Sequence, residues 1–128
     1  MPKIQEVLSA IDNKCEELKD VTIIARTHGQ AASPTKLGKE FKVFWTRINE
    51  QIKSLKNIPN SAKFSGAVGN FNAHKVAYPE IDWKKFGKNF IENELGLNYS
   101  FPTTQIEHYD SFAALCDNCR RINNILLD

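Results

Sequence analysis

Apolar residues return at three- and four-residue steps in several separate stretches of this chain, and prolines and glycines break one stretch from the next. That spacing puts the apolar side chains on one face of an α-helix, and it constrains the fold more than any other feature. Ile4, Val7, Leu8, Ile11, Cys15 and Leu18 predict a first helix over 2–19, with Pro2 in its opening turn. Ser33-Pro34 has the form of a helix start, Ser as the cap and Pro at the first helical position. From there Leu37, Phe41, Phe44, Ile48, Ile52 and Leu55 run as a stripe that ends before Pro59. A short helical piece is expected over 72–77, stopped by Pro79. Asp82 suits the cap of a further helix carrying Trp83, Phe86, Phe90, Ile91 and Leu95, and Gly96 suits its stop. A last helix, from about Asp110 to the end, carries Phe112, Leu115, Cys116, Cys119, Ile122, Ile125 and Leu126. The class expected is all-α, a helical bundle with irregular loops; Val21 to Ala25 reads only as a short apolar run leading into the first loop.

With 128 residues, 41% of them hydrophobic and 25% charged, the chain is expected to form one domain over 1–128. Its 17 basic and 15 acidic residues are interleaved and leave a net charge of +2. That pattern offers no electrostatic footprint for nucleic acid or an anionic membrane, and Lys84, Lys85 and Lys88 read as a solvated helix face. No apolar run is long enough to cross a bilayer. Cys116 and Cys119 have C-x-x-C spacing, but with Cys15 they make an odd count, sit in helical pattern and lack a second pair. They read as ordinary thiols of a reducing compartment, and a soluble, cytoplasmic protein is expected. The stripes of Phe41, Phe44, Ile48 and Ile52 and of Phe112, Leu115, Ile122 and Ile125 call for partner helices, so self-association as a bundle is expected.

Three polar segments lie between the helical stretches: Arg26-Thr27-His28-Gly29-Gln30, Ser65-Gly66-Ala67-Val68-Gly69-Asn70 and Thr103-Thr104-Gln105-Ile106-Glu107. Each joins groups able to bind a polar ligand with others that let backbone approach it, and together they read as one site in pieces. His28 is either a proton-transfer group or a polar residue closing a turn, with Gln30 able to fix its tautomer or hold a ligand oxygen. The glycine segment matches neither a P-loop nor a dinucleotide fingerprint; Gly66 and Gly69 permit an unusual turn, structural or beside a ligand, with Asn70 and Asn72 supplying amides. Thr104 and Gln105 add a hydroxyl and an amide. His74, His108 and Asp110 fit no helical ligand spacing, so no metal site is expected, and no nucleophile elbow exists for a serine hydrolase.

In order and in text, these segments resemble the adenylosuccinate lyase family within the fumarase and aspartase superfamily. The resemblance is carried by Arg26-Thr27-His28-Gly29-Gln30 with Ala32-Ser33-Pro34 and Leu37-Gly38-Lys39-Glu40, by Ser65 to His74, by Ala77-Tyr78-Pro79 and Asp82-Trp83, and by Thr103 to Glu107. It runs from about Ile24 to the end. It implies β-elimination of fumarate from adenylosuccinate, giving AMP, and from the related succinyl-carboxamide ribonucleotide, with no metal or organic cofactor. His28 matches the general acid, Thr27, Thr104 and Gln105 match positions that hold substrate, and the region with Ser65 and Asn70 matches a second shared part of the site; Gln30 joins this set. Where the family reads Ile-Glu-Pro-His-Asp this chain has Ile106-Glu107-His108-Tyr109-Asp110, and no role passes to His108. The family's serine-bearing loop and its N-terminal basic residues have no counterpart in 1–128, so a central fragment, inactive alone, is expected from a homotetrameric enzyme. Within the superfamily the alternative is another lyase, such as argininosuccinate lyase, or a cycloisomerase; outside enzymes it is a helical assembly module without chemistry.

Overall fold

Leu8 from the first apolar stripe, Ile48 and Ile52 from the second and Ile125 from the last close into one buried cluster, with Ile4, Ile11, Phe44 and Trp45 packed around it. The computed structural model describes residues 2–128, and the helical spacing of these residues is what lets three helices share that cluster. The helices are α1 (Pro2–Glu17), α2 (Leu37–Lys56) and α5 (Asp110–Leu127), with α3 (Asn72–Ala77) and α4 (Trp83–Asn89) between them. The chain is thus mainly helical, with small sheets only. Its contacts divide it into two compact units, residues 2–55 with 118–128, and residues 56–117. Of the stripe residues expected to face partner helices, Ile48, Ile52, Ile122 and Ile125 are buried within the chain, whereas Phe112 and Leu115 are exposed.

In the first unit, β1 (Thr22–Thr27) and β2 (Gln30–Lys36) form an antiparallel hairpin between α1 and α2. This corrects two expectations. Val21 to Ala25 is mostly strand, not a lead-in, and Ser33-Pro34 does not start a helix: Pro34 sits in β2 opposite Ile24, and the helix begins at Leu37. In a two-stranded ribbon every strand is an edge, so a proline without an N–H can be tolerated there. The pairing shifts register between Ile24 and Arg26, a bulge beside the turn.

In the second unit, β3 (Ser61–Ala62) and β4 (Asn98–Tyr99) pair in parallel. As expected, the Asp82 side chain caps α4, accepting the Lys85 amide at 3.0 Å. A turn of π-helix, Phe90–Glu94, follows and places Ile91 in the interior, and Gly96 beyond it adopts φ +64°. Phe64, Phe71, His74 and Trp83 meet edge-on or tilted, and the Trp83 indole donates to the Tyr78 carbonyl at 3.0 Å. This ring cluster supports the glycine segment: a Cβ on Gly66 would stand 3.5 Å from the His74 imidazole.

Candidate functional site

Two residues, His28 and Gly29, make the whole turn of the β1–β2 hairpin, with φ of +53° and +76°. Positive φ at both central positions is the turn whose twist matches that of the strands it joins, and glycine at the second position suits it. His28 is therefore held with an exposed imidazole at the tip of the hairpin. Thr27 and Gln30 are cross-strand partners directly behind it. Paired residues present their side chains to the same face of a ribbon, so the hydroxyl and the amide lie side by side next to the imidazole turn. His28 thus closes the turn, and the turn leaves its imidazole exposed.

The other four candidates, Ser65, Asn70, Thr104 and Gln105, belong to the second unit. Ser65 is buried, and its hydroxyl is 2.9 Å from that of Thr103, also buried. Its carbonyl accepts the Phe71 amide at 2.8 Å, closing a loop in which Gly66 and Gly69 have φ of +78° and +84°. A Cβ on Gly69 would fall 1.8 Å from the Thr103 carbonyl oxygen, so only glycine lets the two segments come this close. Two of the three polar segments are thereby joined. Asn70, Thr104 and Gln105 are exposed around the joint, in reach of solvent or a ligand, while Ser65 serves from inside it.

Sequence reasoning missed two contributors. Thr103 was read only as part of its segment, yet it makes the buried contact to Ser65 and the close approach to Gly69. Lys63 was not singled out, and its ammonium donates to the Gly66 carbonyl at 2.8 Å and to the Gln105 carbonyl. No local spacing marked either residue, because Gln105 lies 42 residues from Lys63 and Ser65 lies 38 residues from Thr103 along the chain. Glu107 holds the exit from the third segment, accepting the Tyr109 amide at 2.8 Å while Tyr109 takes φ +64°. His74 lies among aromatic rings, and among the described residues no three His, Cys, Asp or Glu side chains are grouped to hold a metal ion.

Residues 1–128 match, over their full length, the family described as Lyase. The chain belongs to this lyase family. Its helical superfamily is that of fumarase and aspartase, in line with the motifs. Three curated relatives give the similarity scale. An adenylosuccinate lyase of Vibrio cholerae is 44% identical over 128 residues, 100% of this chain and 28% of the relative. One of Dictyostelium discoideum is 46% identical over 126 residues, 97% of this chain and 27% of the relative. One of Escherichia coli K12 is 38% identical over 128 residues, 100% of this chain and 28% of the relative. The chain thus spans little more than a quarter of the length of these lyases. No helix among the described residues is long and apolar enough to cross a membrane.

Proposed function

We propose that this chain is a central part of an adenylosuccinate lyase, and that the complete protein releases fumarate from adenylosuccinate and from the succinyl-carboxamide ribonucleotide. The observation that carries the reading is the imidazole of His28 displayed on its two-residue turn, with Thr27 and Gln30 paired behind it. In the elimination a base takes a proton from the succinyl carbon next to a carboxylate, the carbon–nitrogen bond breaks as the double bond forms, and the nitrogen leaves with the electron pair. His28, as imidazolium, supplies the proton that this nitrogen needs. Thr27, Gln30, Asn70, Thr104 and Gln105 bind the polar groups of substrate through hydroxyls and amides, which accept or donate without carrying charge. Ser65 belongs to the same site and holds the glycine loop in the shape that presents Asn70. The chemistry asks for no metal or organic cofactor, the partner is a small molecule, and the complete protein works in the cytoplasm as a homotetramer.

The test is fumarate release from adenylosuccinate by the complete product of the gene that carries this sequence, with His28→Ala alongside. Activity that collapses in the variant supports both reaction and role. A folded, complete protein that releases no fumarate overturns the reading. Residues 1–128 alone, which offer a proton donor and ligand groups without an assigned base, are expected to release none.

A further inference from the structure

The chain before the glycine loop sends two side chains to the Thr103-Thr104-Gln105 segment. Ser65 meets the Thr103 hydroxyl at 2.9 Å, and two residues earlier Lys63 donates to the Gln105 carbonyl. The same ammonium donates to the Gly66 carbonyl at 2.8 Å, so one side chain holds backbone from both segments. These two bonds differ from the other ties across the joint. The Ser65–Thr103 hydroxyl pair is neutral, and Gly69 meets the Thr103 carbonyl through close packing of backbone; both act on Thr103. Lys63 reaches Gln105 itself. A protonated amine bonds a carbonyl more strongly than a neutral donor does, and its three N–H groups can serve two carbonyls at once. Fixing the Gln105 carbonyl fixes its peptide plane, and with it the direction from which the exposed amide side chain leaves the backbone.

We propose that Lys63 is a positioning residue: it clamps the glycine loop to the third polar segment and aims the Gln105 amide at substrate. The inference deepens the lyase reading above and rests on it for the identity of the ligand. A lysine whose N–H groups already go to two backbone carbonyls acts through those carbonyls, so its effect should pass through Gln105.

The experiment is a double-mutant cycle in the complete gene product, with Lys63→Met and Gln105→Ala singly and together, and Lys63→Arg as the conservative variant. Lys63→Met is expected to raise KM for adenylosuccinate by about tenfold or more with a smaller loss in kcat, because aim is lost and the proton donor is not. Lys63→Arg should recover most of that, since a guanidinium also donates to two carbonyls. In the Gln105→Ala background Lys63→Met should add less than about threefold. Full additivity, or Lys63→Met within about twofold of the unmodified protein, overturns the proposal. Should Lys63→Met not fold, Lys63→Gln takes its place in the cycle. If the unmodified protein releases no fumarate, the lyase reading has failed, and hydrogen exchange then decides the clamp: Lys63→Met should speed exchange in peptides spanning 65–71 and 103–107, and unchanged exchange in both overturns it.

Discussion

The hydroxyls of Ser65 and Thr103 stand 2.9 Å apart, in side chains that are both buried and lie 38 residues apart in the chain. Each satisfies the other where water does not reach. Removing one alone leaves a buried hydroxyl without its partner, which costs about 1–3 kcal/mol, whereas replacing both by apolar groups of similar shape costs less than the sum. Ser65→Ala and Thr103→Val should each lower the urea unfolding midpoint, and the double variant should fall short of additivity. Additive losses would mean that the two hydroxyls do not depend on each other.

Gly69 and Gly96 both have positive φ, yet they should respond differently to a methyl group. At Gly69 the new Cβ would stand 1.8 Å from the Thr103 carbonyl oxygen, so backbone must move; at Gly96 nothing lies within 4 Å and only the strain of φ +64° remains. Gly96→Ala is expected to cost about 1–2 kcal/mol. Gly69→Ala should cost more than about 3 kcal/mol or prevent folding, because it forces apart the two segments as well. Thermal unfolding of the two variants side by side checks the order.

The turn role and the chemical role of His28 can be separated by one substitution. Asparagine adopts left-handed φ readily and is favoured before glycine in this type of turn, but it donates no proton to a leaving group. His28→Asn should keep the unfolding midpoint of the unmodified protein while fumarate release by the complete protein falls by about 10²–10⁴-fold. Retained activity would remove the proton-donor role and leave the turn as the residue's whole purpose.

The helices were legible because their apolar residues follow the period of the element they build. Leu8, Ile48, Ile52 and Ile125 were all on the expected faces, and the cap at Asp82 and the stop at Gly96 are local chemistry that acts as written. The β1–β2 hairpin was not legible, for a physical reason. Both faces of the ribbon are largely exposed, so its residues carry no alternation of buried and solvated types, and Ser33-Pro34 offers the signature of a helix start just where a strand runs. Its real signal was His28-Gly29, two residues able to take positive φ between β-branched and small residues. In the site, the polar segments were recognisable by their residue types, but the stitching between them was not. Lys63 and Thr103 act through backbone and hydroxyl partners 42 and 38 residues away, and no spacing along a sequence encodes that.

Cys15 offers a prediction about pH. Burial in α1 pushes its thiol above the ordinary value of 9.0, against a smaller opposite pull from the charge of Lys42, whose ammonium pairs with Asp12 at 2.7 Å. The folded chain therefore keeps this proton in a window where the unfolded chain has already released it. With fewer protons bound in the unfolded state, stability present below pH 9.0 is lost as pH rises from there through the raised value. Cys15→Ala should flatten that part of the alkaline decline in unfolding free energy while leaving the slope near neutral pH unchanged. The same burial predicts that a thiolate-selective reagent labels Cys15 only on unfolding, since the anion that must attack is disfavoured and covered in the native chain. Rapid labelling of Cys15 under native conditions would show that the last turn of α1, where Cys15 sits, exposes that sulfur without unfolding of the whole chain.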